Sequence, residues 1–299
     1  MSKYKVVIEE NCDYYDAIKY SFNDNVYIVK DSYDIRKIES IAEELSENNS
    51  VIFFNLTNVN DLLLQMLPRN INKYLIFEYS VAEFSESFKL NEFLLIMKYL
   101  DMKLIKNIYC INHTTYLLFK DKYKAKYLQL DIPHYEKTSG DSIGILTSLT
   151  RQCTSTMNMV SAITLTDFKK VRMYEVEKSV KSFAKRFNIK IYNEKNIDDA
   201  INNNDINIYV NFSSTCYEII LKSMDRGIPC IVGNTDFFDK NEILKKYLVV
   251  TSDDDINEIR DKLLEVKKNK SLIMKEYKKF RKSYKEIALD SINKIKANI

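Results

Sequence analysis

The sequence predicts an α/β protein made of two Rossmann-like, doubly wound domains, and three observations carry that reading. Short β-branched or aromatic runs alternate with amphipathic stretches of helical period, the pattern of parallel sheets covered by helices. The alternation lapses once, near residue 135, and then starts again. The chain has 299 residues, and at roughly 100 to 200 residues per domain that length favours two domains.

In the first series, strands are expected at Lys5 to Ile8, Asn25 to Val29, Val51 to Asn55, Tyr74 to Phe77 and Asn107 to Ile111. The clearest helix between them runs from Asp34 to Asn48: Ile35, Ile38, Ile41, Ala42 and Leu45 share one face, and Asp34 is the N-cap. Pro133 and Gly140 punctuate the stretch 131–141, where the domain boundary is placed. The second series has strands at Ser142 to Leu146, Val171 to Tyr174, Ile189 to Tyr192, Ile206 to Val210, Pro229 to Val232 and Leu248 to Val250. Its helices are expected at Thr154 to Thr164, Glu177 to Phe187, Ile197 to Asn203, Thr215 to Asp225 and Asn241 to Tyr247. The resulting divisions are 1–135, 136–268 and a helical tail, 269–299.

Composition excludes several classes of function. No stretch approaches the roughly 20 apolar residues of a membrane span, and Met1-Ser2-Lys3 leads directly into Val6-Val7-Ile8 with no signal-peptide pattern, so a cytoplasmic protein is expected. The five cysteines are scattered and never spaced C-x-x-C, so they read as reduced thiols. With two histidines, a histidine-rich metal centre is not expected. From Lys267 onward there are eleven Lys or Arg against three acids, a local charge of +8 in a chain of net +3. Ile273, Tyr277, Phe280, Tyr284, Ile287, Ser291 and Ile295 give that basic tail an apolar seam. Two readings stay open for it: a solvated face on a packed terminal helix, or contact with an anionic membrane surface. No recognised nucleic-acid module accompanies the charge, so nucleic acid is not an expected partner.

The most informative stretch is 205–234. A strand (Asp205 to Val210) leads into the hydroxyls Ser213, Ser214 and Thr215, then a helix, then Gly227, and then Pro229 and another strand. Hydroxyls at a helix start can cap orphan N–H groups, and the same N-terminus with its dipole suits a diphosphate. The arrangement resembles the donor-binding segment of retaining GT-B glycosyltransferases of the group 1 type, through Ser223, Gly227, Ile228, Pro229, Cys230 and Ile231. The strand Ser142-Ile143-Gly144-Ile145-Leu146 followed by Arg151 is similar to that family's opening strand and phosphate-binding basic residue. The likeness covers about residues 142–268.

The resemblance implies two facing domains with an acceptor-side first half. It implies a nucleotide-diphosphate sugar as donor substrate, no cofactor or metal, and a glycan, lipid-linked or protein acceptor. It also implies a donor site drawn from Gly144, Arg151, Ser213, Ser214, Thr215 and Lys222, with no catalytic residue assigned. Two departures stand out. The family's pair of donor-helix glutamates is replaced by Ser214 and Lys222, and an ammonium cannot accept hydrogen bonds from ribose hydroxyls. The loop after the first strand, Glu9-Glu10-Asn11-Cys12-Asp13, has no glycine. They support an alternative, a catalytically silent relative that binds a partner or a glycan. Lys222 also reads as an exposed helix lysine paired with Glu218 at i−4. Phe77, Tyr79, Phe84 and Phe88 read as core packing rather than as an acceptor surface.

Overall fold

Val6, Val7 and Ile8 are wholly shielded from solvent, as a continuous apolar run must be when a strand is covered on both faces. They form the middle of the first strand in the computed structural model, which describes residues 3–10, 12–30, 33–146, 156–211, 216–252 and 254–299. The first series runs β1 (Tyr4–Glu9), α1 (Tyr15–Phe22), β2 (Val26–Val29), α2 (Ile35–Ser46), β3 (Ser50–Phe54), α3 (Asn58–Met66), β4 (Asn72–Phe77), α4 (Ser87–Asp101), β5 (Asn107–Cys110), α5 (His113–Tyr123) and β6 (Lys126–Tyr127). The second runs β7 (Ser142–Ile145), α6 (Thr156–Thr164), β8 (Lys170–Tyr174), α7 (Lys178–Arg186), β9 (Lys190–Glu194), α8 (Ile197–Ile201), β10 (Asn204–Tyr209), α9 (Tyr217–Asp225), β11 (Cys230–Val232), α10 (Glu242–Leu248) and α11 (Ile256–Asn298).

Two all-parallel sheets result. Their strand orders are β2-β1-β3-β4-β5-β6 and β11-β10-β7-β8-β9. The chain divides into two compact units, Met1–Pro133 with Tyr284–Ile299, and His134–Ser283. Residues 269–299 continue a helix that begins at Ile256, and the side chains explain how its residues are shared out. Tyr277 and Arg281 bond to Asp225 in the second unit. Tyr284 donates to the Leu130 carbonyl and Lys296 to the Ser21 carbonyl in the first.

Local signals set several helix ends. Asp34 caps α2 by accepting the Lys37 N–H at 2.9 Å, and Ile38, Ile41, Ala42 and Leu45 are the face it buries. Gly227 ends α9 in the left-handed region at φ +83. Its N–H reaches the Met224 carbonyl and the Ile228 N–H that of Ser223, which satisfies two terminal carbonyls.

Three expectations need correction. The strand expected at Leu248 to Val250 is a single bridge, Val232 to Val249, because α10 continues through Leu248. The seam of α11 omits Ile287, which is 40% exposed; Ala288 and Ile292 are buried instead, since the 3.6-residue period drifts off a regular alternation of four and three. Phe77, Tyr79 and Phe84 do pack in the core of the first unit, whereas Phe88 is exposed.

Candidate functional site

In open parallel sheets, ligands bind beyond the carboxyl ends of the strands where the strand order reverses. In the second unit that point lies between β7 and β10, because β7 continues outward through β8 and β9 while β10 and β11 lie on its other side. The segments that follow these two strands are 147–155 and 212–215. Arg151, Ser213, Ser214 and Thr215 fall in them and so lie outside the described residues. Helix α9 begins at Tyr217 rather than Thr215, with Cys216 ahead of it; the Cys216 N–H bonds to the Tyr209 hydroxyl at 3.2 Å.

Gly144 is in the middle of β7, and a Cβ there would lie 2.0 Å from Asn207 Oδ1 and 2.4 Å from Asn204 Nδ2. Those amides belong to a buried network. Asn204 donates to the Ala200 carbonyl and to Asn207 Oδ1, Asn207 donates to Ser223 Oγ, and Ser223 donates to the Ile228 carbonyl. It ties α8, β10 and α9 together, so glycine is required at 144 for packing. Gly144→Ala is expected to cost about 1–3 kcal/mol, the usual penalty of overpacking, read as a lower midpoint in urea. An unchanged midpoint would show that the amides move aside freely.

Lys222 is not the exposed helix lysine expected. It is buried, its ammonium 2.8 Å from Glu218 Oε1 and 3.5 Å from Asp198 Oδ2. Glu218 is buried too. Arg226, one turn further on, reaches Asp198 at 3.5 Å and stacks over the Tyr135 ring at 4.0 Å. The expected pairing with Glu218 is present, but α8 closes over it and removes it from water.

The first unit has its own reversal, between β1 and β3, and sequence reasoning passed over the carboxylates there. Glu92 of α4 is 5% exposed, and its Oε1 accepts the Leu56 N–H at 2.6 Å just beyond β3. Burial pushes its carboxyl up to about 7, with nearby Glu9 adding to the rise against the lowering by Leu56 N–H. Asn55, in the left-handed region at φ 55, exchanges hydrogen bonds with Glu78. Glu83 holds the Lys89 ammonium at 2.6 Å, and that ammonium sits 4.8 Å from the Tyr79 ring centre. Burial, then Glu92, Glu78, Glu83 and Asp13, drives the Tyr79 phenol far above its ordinary range. The one signal in the sequence was an acid on the buried face of α4, in register with Phe93, Ile96 and Tyr99. Among the described residues no three His, Cys, Asp or Glu side chains are placed to hold a metal ion.

No protein-family model matches the chain, and no curated protein matches it. Solved structures do. Anabaena HepE in complex with UDP-glucose matches with a TM-score of 0.71 at 8% identity, over 99% of this chain and 100% of that one. The chain has the GT-B fold. A glycosyltransferase from Rickettsia africae matches at 0.54 and 11% identity, over 95% of this chain and 98% of that one. TarM of S. aureus matches at 0.67 and 13% identity over 87% of this chain, which spans 57% of the length of TarM. In GT-B terms the second unit contains the segment whose sequence resembles a donor site.

Proposed function

We propose that this chain is a glycosyltransferase that moves a sugar from a nucleotide-diphosphate sugar to a glycan, lipid-linked or protein acceptor, and that it is of the retaining type. One observation carries the reading: the segment that resembles a donor site leads out of β10 at the strand-order reversal of a GT-B unit. The match to HepE, solved with UDP-glucose over the same length of chain, supports it. In this reading the diphosphate lies against Arg151, Ser213, Ser214 and Thr215 ahead of α9, where positive charge and a helix N-terminus offset developing leaving-group charge. Gly144 serves the site by letting β7 pack against β10, and Lys222 serves it by anchoring α9.

The basic tail fits peripheral contact with an anionic membrane. Lys275, Lys278 and Lys282 recur at i, i+3 and i+7 on α11, are exposed, and form no ion pair among the described residues. No helix among the described residues is long and apolar enough to cross a membrane.

Uridine or guanosine diphosphate is expected to raise the melting temperature, by about 2.7 kcal/mol of added stability at a hundredfold excess over Kd. Arg151→Ala should weaken that binding by about 1–3 kcal/mol, the worth of a charge-assisted contact, and leave the unliganded Tm unchanged. No shift with either nucleotide at millimolar concentration would remove the donor-site assignment. The buried Lys222–Glu218 pair favours a second reading, a catalytically silent GT-B protein acting as a partner or glycan-binding subunit. Slow hydrolysis of a nucleotide sugar by the purified chain decides for the enzyme, and nucleotide binding without turnover decides for the silent relative.

A further inference from the structure

A cavity of about 650 Å³ opens in the first unit at the start of β4 and β5, the end of the sheet opposite to the Glu92 carboxyl. Arg69, Lys73, Lys103 and Lys106 line it, and among the described residues no acidic side chain does. None of the four is in an ion pair among the described residues. Lys73 is buried, and Arg69, Lys103 and Lys106 are exposed at the rim. Lys103 occupies the left-handed region at φ 58 where α4 closes, a place glycine usually takes. Lys73 is 3% exposed, with its ammonium donating to the Leu67 carbonyl at 2.8 Å. Lys106 is held 3.2 Å from Asn72 Oδ1, on the cavity's edge.

Four like charges around one concavity repel each other, and among the described residues of the lining no carboxylate neutralises them. Burial, and then Arg69, hold the Lys73 ammonium below the usual lysine range, so an anion placed there would relieve a real cost. Leu104 and Tyr123 add an apolar wall, and the volume falls within the roughly 300–1,000 Å³ of ordinary ligand cavities. A guanidinium fork with several ammonium point charges matches an anion that presents several oxygens and more than one charge.

We infer that this cavity is a binding site for a phosphate-bearing ligand, distinct from the donor site in the second unit and independent of whether that site is active. The phosphate can come from a soluble ester or from a lipid headgroup. The test compares the full chain with Arg69→Ala/Lys103→Ala/Lys106→Ala and with a control, Lys19→Ala/Lys37→Ala, which removes exposed charge elsewhere in the same unit. Each is titrated with inorganic pyrophosphate and, separately, with phosphatidylglycerol and phosphatidylcholine vesicles, and hydrogen exchange is followed in 69–73 and 102–106. At least tenfold weaker pyrophosphate binding in the triple variant, with protection of both segments in the wild type and the control unchanged, identifies a soluble phosphate ester. Loss confined to phosphatidylglycerol vesicles identifies a lipid headgroup. A change of less than tenfold with both probes, or an equal loss in the control, overturns the proposal; pyrophosphate that binds only in the donor site gives that result.

Discussion

Lys222→Glu will destabilise the second unit by about 3–5 kcal/mol, the cost of leaving buried charge without its partner. The new carboxylate would face Glu218, 2.8 Å from the present ammonium, and Asp198, 3.5 Å from it, at a position only 6% exposed. At roughly 2–4 °C per kcal/mol for a unit of this size, the melting temperature should fall by roughly 6–20 °C. The double variant Glu218→Gln/Lys222→Met should recover most of the loss, because a buried ion pair replaced by well-packed neutral groups is often neutral in stability, and Arg226 still faces Asp198. A Tm within 2 °C of wild type for Lys222→Glu would show that the side chain escapes to water. The double variant also separates two roles: retained fold with retained nucleotide binding assigns Lys222 to structure alone.

Glu92→Gln will remove a pH dependence from the first unit. Folded, the carboxyl titrates at about 7; its ordinary value is 4.5. The folded chain therefore holds the proton more tightly than the unfolded chain, and stability falls as pH rises through that interval. The contribution is fully present below about 4.5 and lost by about 7. At about 1.4 kcal/mol per unit, the difference amounts to about 3 kcal/mol. Glu92 is buried, and the amide of Gln replaces the protonated carboxyl without an ionised form to bury. Wild type and Glu92→Gln should match in urea midpoint near pH 5 and diverge above pH 7, with the variant the more stable. Parallel curves from pH 5 to 8 would overturn the assignment.

These two predictions come from groups that the amino-acid order did not expose. Lys222 and Glu218 stand one helical turn apart, so their pairing was legible. Their burial depends on α8, whose Asp198 closes over them. Glu92 looked like any helix acid because its partner, the Leu56 N–H, is 36 residues away. Gly144 was read as a ligand-side glycine, yet the space it keeps open is filled by Asn204 and Asn207 of β10. In each case a sequence-distant element set the environment.

By itself the sequence determined the alternation of strands and helices, the Asp34 cap, the Gly227 stop and the two-sheet α/β class. All of these rest on interactions within a few residues, or on periodicities that a strand or helix must repeat. The tertiary structure alone decided which strands lie beside one another, and with that where each sheet reverses its order. It also decided that α11 shares its residues between the two units, and which charged side chains leave water. Those outcomes depend on desolvation by packed neighbours, and desolvation is a property of three-dimensional contact that no local stretch of sequence carries.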